Sequence, residues 1–359
     1  MKMARMTPPE RMGAVMMGEK PDRVPVVPFI LGYSAQITGV SIGDIYADGD
    51  KCFDAMFNSM RLHGYEQTPM YGYASLGPWE FGGEVMFPYG KGHSAPSVTK
   101  HPVMSIEDIE NLEVPTFEKE LPGGFKESDK VAKRCVAMGM PATIQTGSTF
   151  TASSVVAETS LFLKWIFKEP KAVHLLLEKV SDMFVNALEY FAETYGPEHC
   201  MPFDGGPVEA NTILSPKQFK EFAYPYMEKL HKKIKELGMP AVLMHPCADQ
   251  NLNIPYYVEL RKKLNWEGRY FWLFGPETPI QDQIDNFGDH DIICGNVDPP
   301  SIQYKSYEDV VRLCKENIEA GKDSPNGFVL APGCEFPPLA PPIKVMAMMD
   351  AAEKYGRYD

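Results

Sequence analysis

Histidine and cysteine are scarce in this chain, eight and seven among 359 residues. Yet the stretch LMHPCADQ, residues 243–250, sets His245 two positions from Cys247 at the end of an apolar run. On an extended strand, residues i and i+2 leave the same face, so an imidazole and a thiol at this spacing can be aimed at one point beyond the strand's end. A third soft donor, Cys334, closes the run FVLAPGC at 328–334. One nitrogen and two sulfurs suit zinc, which in catalytic sites keeps a fourth position open. Two thiolates cancel the charge of the ion, so a substrate thiol brought there as thiolate stays nucleophilic. A lone cysteine in an apolar strand usually packs as a small hydrophobe. The occurrence of all three donors at two strand ends is what points to a metal.

Such donors converge only if their strands are parallel and end on one side. The sequence supports that arrangement. Short β-branched or aromatic runs at 24–30, 65–69, 142–147, 200–206, 241–246, 270–275, 291–298 and 328–334 end in Gly, Pro, Asp or Asn and alternate with amphipathic helical stretches. That alternation is the pattern of βα units, and eight strands suggest a closed (β/α)8 barrel whose C-terminal mouth carries the chemistry. In the helical stretch from Ser215 to Gly238, Ser215 caps, Pro216 fills the first turn, and Pro225 predicts a kink or break. A second helix opens at Ser306 and closes at Gly321. Residues 75–120 interrupt the rhythm and read as a twisted hairpin and loop inserted after the second strand. No low-complexity linker divides the chain, so residues 1–359 are expected to form a single domain with an N-terminal extension of about 20 residues.

Polar residues at the other strand ends should face the same mouth: Gln145, Asp204, Asn296, Asp298, and Glu335 beside Cys334. Glu335 or Asp204 could complete the zinc shell. Tyr33, with Tyr71, Trp79 and Phe81, offers an aromatic rim for a flat ligand, or else packs the insertion. Cys52, Cys200, Cys294 and Cys314 fall within helical or strand patterns as packing residues, while Cys135 has no evident place. The Met-rich starts MKMARM and MGAVMM read as an adaptable apolar cover for the barrel's N-terminal end.

A net charge of −13 and a pI near 5.2 argue against nucleic acid or an anionic membrane as partner. No apolar run approaches the ~20 residues of a membrane span, and charged residues interrupt any signal-like segment near the start. The odd number of scattered cysteines predicts reduced thiols and a cytoplasmic protein.

Several segments together carry a resemblance: ERMGAVMMGEKPDRVPV, HPVMSIEDIENLEVPT, ILSPKQFKEFAYPYMEKL, GNVDP and FVLAPGCEFPPLAPPIKVMAMMDAAEKYG. Over nearly its full length the chain resembles the uroporphyrinogen decarboxylase superfamily. The resemblance implies a (β/α)8 barrel and two chemistries. The decarboxylase branch uses an arginine-rich first loop to hold a polyanionic tetrapyrrole, but here no Arg or Lys occurs from Val24 to Asp50.

The corrinoid-dependent methyltransferase branch, typified by methylcobamide:coenzyme M methyltransferases, binds zinc with His-x-Cys and a distant Cys, which His245, Cys247 and Cys334 match. One departure is that the branch usually has glycine after the first cysteine, whereas Ala248 and Asp249 follow here. The resemblance implies zinc, a corrinoid carried by a partner protein, and a small methyl acceptor or donor, with a thiol acceptor favoured. The alternatives are demethylation of an O-methyl or N-methyl compound, tetrahydrofolate as acceptor, decarboxylation, and a non-catalytic metal-binding barrel.

Overall fold

The runs rich in Val, Ile, Phe and Trp become strands buried on both faces, as in a parallel sheet covered by helices. The computed structural model describes residues 5–90 and 95–358. Its main sheet has six parallel strands in sequence order, here β3 (Ala142–Gln145), β4 (Cys200–Gly205), β5 (Ala241–His245), β6 (Arg269–Leu273), β7 (Ile292–Val297) and β8 (Phe328–Pro332). Every residue of β3, β7 and β8 is buried. Helices connect the strands, among them Thr149–Val156, Pro170–Tyr195, Tyr224–Leu237 and Tyr307–Gly321.

The first two expected strands are extended segments joined to the sheet by fewer bonds. Val27 N donates to Leu330 O and Leu330 N to Pro25 O, both at 2.9 Å, which lays residues 24–27 beside β8. Glu66 N then donates to Val26 O at 2.9 Å. Among the described residues no main-chain ladder joins this second segment to β3. A side chain takes its place: Gln145 Oε1 accepts from Tyr73 N at 2.8 Å and Gln145 Nε2 donates to Tyr73 O at 2.9 Å. Gly72 leaves room for it, since a Cβ there would lie 2.3 Å from Gln145 Oε1.

The insertion is a two-stranded antiparallel hairpin, β1 (Glu84–Met86) with β2 (Ser97–Lys100), bulged between Glu84 and Val85. Part of the expected hairpin and loop, residues 91–94, lies outside the described residues, as do Met1 and Met3 of the Met-rich start. Trp79 packs edge-on against Phe87 within the insertion at 5.6 Å, whereas Tyr71 donates to Tyr46 O in the helix Ile42–Ala47. The expected break at Pro225 takes the form of a π-helical stretch, Phe219–Ala223, before the helix Tyr224–Leu237. Proline has no N–H to continue the ladder, and the wider turn accommodates that loss.

At the N-terminal end of the barrel, Thr7 and Glu10 form a capping box on the helix Pro8–Met16, whose Arg11 points inward. Arg11 Nε lies 2.7 Å from Asp22 Oδ1, and its Nη1 also pairs with Glu66. Glu66 in turn pairs with Arg23 at 3.0 Å, and Arg23 with Glu353 at 3.0 Å. Arg11, Asp22, Arg23 and Glu66 are all buried, so each charge depends on its partner. Cys52, Cys135, Cys200, Cys294 and Cys314 are buried free thiols, and Cys135 Sγ approaches Pro69 O at 3.3 Å.

Candidate metal centre

Strand alternation decides which side chains reach the mouth. In register, β4 sets Phe203 beside Leu243 of β5, Asp204 beside Met244, and Gly205 beside His245. Phe203, Gly205 and His245 line a cavity at the C-terminal end, while the intervening Asp204 turns to the outer face. Cys247, two residues past β5, and Cys334, two residues past β8, border the same cavity.

The three donor atoms lie within 4.8 Å of one another. The sulfurs of Cys247 and Cys334 are 3.6 Å apart. That is far longer than a disulfide of about 2.05 Å. It is near the S···S edge of about 3.8 Å that a tetrahedron with Zn–S bonds of about 2.3 Å requires. His245 Nδ1 donates to Leu273 O at 2.7 Å, which sets the tautomer and turns Nε2 inward. Phe29 edge-on at 5.5 Å and Phe203 stacked at 6.2 Å hold the ring. Nε2 is buried and has no hydrogen-bond partner. A buried nitrogen left unpaired costs free energy unless something binds it, and together with two sulfurs it fits a zinc ion.

The thiols share a proton unequally. The hydrogen bond from Cys334 draws the Cys247 thiol below its ordinary range, while the same bond and burial push Cys334 up to about 12. A pair this close titrates as a unit that gives up its first proton far more readily than its second. A divalent ion would displace both.

The loop after Cys247 is tightly built. Gln250 Nε2 donates to Gly206 O at 2.6 Å and to Cys247 O at 3.2 Å, and Gly206 N donates to His245 O. Ala248, at the position where the branch usually has glycine, has φ of 59°. A side chain in this left-handed region costs about 1 kcal/mol or more. Phe29, whose ring touches His245, has φ of 49°. Gly275 lets the neighbouring loop come close, since a Cβ there would lie 2.9 Å from Ala248 N.

The remaining expected site residues fall into two groups. Gln145 and Glu335 line the cavity. Gln145 has both amide atoms committed to Tyr73, however, so it ties the end of β3 to that main chain. Glu335 Oε1 accepts from Gly32 N at 3.1 Å, and burial pushes its carboxyl up to about 8. Tyr33, Asp204 and Asn296 do not line the cavity. Tyr33 is buried edge-on against Phe336, with its hydroxyl 3.0 Å from His63 Nε2. Asp204 faces the helix Tyr224–Leu237 and bonds His231 at 2.9 Å, because alternation along β4 sends it outward. Asn296 donates to Gly275 O and Thr278 O, pinning the loop after β6. Asp298 caps the next helix through Ser301 N.

Sequence reading missed Phe29, Phe203, Gln250 and Glu209. Gln250 sits three residues after Cys247, and a polar residue so close to a candidate ligand was the available signal. Glu209, in the loop after β4, is buried with Oε2 accepting from Thr151 Oγ1 at 2.6 Å and Oε1 unpartnered. Burial pushes its carboxyl up to about 8. No local pattern marks it.

Comparison with known proteins agrees with this architecture. A methylcobamide:CoM methyltransferase, MtbA, of Methanosarcina acetivorans is 23% identical over 98% of this chain and 99% of its own. A uroporphyrinogen decarboxylase of Pectobacterium carotovorum is 27% identical over 71% of this chain and 70% of its own. A solved methyltransferase from Methanosarcina mazei superposes with a TM-score of 0.78 at 20% identity, covering 98% of this chain and 99% of that one, a likeness of fold. The family model for uroporphyrinogen decarboxylase (URO-D) matches residues 7–355, nearly the whole chain, and on that evidence the protein belongs to the URO-D family.

Proposed function

We propose that the protein is a zinc-dependent methyltransferase that moves a methyl group between a corrinoid carried by a partner protein and a small substrate, with a thiol as acceptor. The observation that carries the reading is the convergence of an unpaired His245 Nε2 with the thiols of Cys247 and Cys334 on one cavity wall. The similarity to MtbA over nearly the whole chain supports it. The decarboxylase reading lacks support at the same place. The cavity is about 180 Å³, and among the described residues no Arg or Lys lines it. A macrocycle bearing eight carboxylates would find neither room nor counter-charge.

His245, Cys247 and Cys334 would hold zinc, which supplies a lowered thiol pKa so that the substrate sulfur is a thiolate at neutral pH. The chain's own residues do the rest. Leu273 O fixes the His245 ring, Gln250 holds the Cys247 loop, and Phe29 and Phe203 keep water from the imidazole. In the transfer, a sulfur lone pair forms the new S–CH3 bond. The Co–C bond breaks with both electrons left on cobalt, so methyl-Co(III) becomes Co(I) and the thiol proton passes to solvent. The cavity wall orients the acceptor for this in-line displacement.

The test is metal analysis of the full chain beside Cys334→Ser, with demethylation of free methylcobalamin assayed against a panel of thiols. About one zinc per chain in the wild type, lost in the variant together with thiol-dependent turnover, is expected. Unchanged metal and turnover in Cys334→Ser would remove that residue from the mechanism. No thiol-dependent turnover in the zinc-loaded wild type would sink the acceptor assignment and favour an oxygen or nitrogen demethylase.

A further inference from the structure

We infer that the substrate taken by this cavity is uncharged, with an apolar body of at most about benzene size, and that an anionic thiol is selected against. This deepens the methyl-transfer reading and depends on it.

Beside the three donors the lining is largely apolar, with Phe29 and Phe203 against the imidazole and Leu31, Met70, Leu76 and Ala152 completing it. The polar side chains between them are already committed. Gln145 is spent on the Tyr73 main chain, Tyr73 Oη donates to Glu80, and Thr151 Oγ1 sits between Val208 N and Glu209. Among the described residues the lining has no Arg or Lys, and its only acidic side chain is Glu335. Zinc balanced by two thiolates adds no net positive charge. The cavity of about 180 Å³ compares with engineered apolar cavities of roughly 150 Å³ that take benzene.

One element pulls the other way. The helix Thr149–Val156 begins at the cavity, capped by Ser148, and the positive end of its dipole would favour an anion. Magnitudes decide the contest. A helix terminus carries the equivalent of about half an elementary charge, felt only within its first turn, which is less than the desolvation of a full unpaired anion demands. Ser148 Oγ already accepts from Thr151 N, which uses part of the terminus. What remains suits a hydroxyl or ether oxygen better than a full charge.

The experiment compares two-carbon thiols matched in length on the zinc-loaded full chain with methylcobalamin: 2-mercaptoethanol as neutral, 2-mercaptoethanesulfonate as anion and cysteamine as cation. Calorimetric binding of the thioethers 2-(methylthio)ethanol and 2-(methylthio)ethanesulfonate gives a readout that needs no turnover. The neutral member should exceed the anionic one by about tenfold or more in kcat/KM and in affinity, the least an unpaired buried charge would impose.

Ala74 lies exposed on the cavity rim. Ala74→Lys should narrow the gap by improving the anionic thiol, and a gap it leaves unchanged counts against the proposal. Equal or better use of the anionic thiol by the wild type overturns the inference while leaving methyl transfer intact, and a preference for cysteamine overturns it too. Failure of all three thiols instead strikes the underlying reading.

Discussion

The two ends of the barrel obey opposite rules. At the N-terminal end four buried charged residues, Arg11, Asp22, Arg23 and Glu66, are paired with one another. At the C-terminal mouth the buried His245 Nε2 goes unpaired, as does Glu209 Oε1 in the loop after β4. Left-handed backbone at Phe29 and Ala248 is also found at the mouth. Strain and unmet bonding cost stability and persist where surrounding structure enforces them, which is commonly at functional sites. The lower end pairs its charges within the protein, and the upper end leaves the candidate donor His245 Nε2 without a protein partner.

That contrast can be broken most sharply at the mouth. His245→Ala should take zinc from about one per chain to nearly none, and methyl transfer should fall with it. Melting of the metal-free variant should stay close to that of the metal-free wild type. A variant that keeps its metal would deny His245 the role of ligand.

At the other end the expected effect is on stability alone. Glu66→Gln leaves the guanidinium groups of Arg11 and Arg23 short of a buried partner, at a cost of about 3–5 kcal/mol in denaturant unfolding. Zinc content of the folded fraction should be unchanged. A loss under about 1 kcal/mol would show that the network is slack.

Glu209 sharpens the comparison through pH. Its carboxyl is raised in the fold to about 8, from an ordinary value near 4.5, because burial disfavours the ionised form. The stability of the neutral acid is fully present below the unfolded value and is lost as pH rises through the folded one. Replacing it with a neutral amide removes that slope. Glu209→Gln should therefore gain on the wild type in melting temperature from pH 5 to pH 8, and a constant difference across that range would refute the assignment.

The smallest effect belongs to Ala248→Gly. Relief of the left-handed conformation, about 1 kcal/mol, is offset by the greater freedom of glycine in the unfolded chain, roughly 0.5–1 kcal/mol. A gain of about 0.5 kcal/mol or less is expected from chemical denaturation. A clear loss would mean that the Ala248 methyl group makes a contact worth more than the strain.

Much of this was legible beforehand, and the gaps have physical causes. Parallel strands are hydrophobic throughout, so 142–147, 200–206, 241–246, 270–275, 291–298 and 328–334 stood out and correspond to the six strands of the sheet. The segments at 24–30, VPVVPFI, and 65–69, the more polar YEQTP, make only scattered main-chain bonds. Gln145 ends a strand and lines the cavity, but its amide is already used. Its partner Tyr73 is 72 residues away, and no local rule reveals that its amide is spent.

The chain's linear order determined the donor set: His245 and Cys247 share a face through the two-residue period of a strand, and Cys334 ends another strand. Only the folded structure decided that the three meet, with sulfurs 3.6 Å apart and the imidazole nitrogen left bare. It also decided that Asp204 turns outward and that no Arg or Lys lines the cavity among the described residues. The local period sets which residues can share a direction. Long-range packing sets which polar atoms are consumed by neighbours and which stay free to bind.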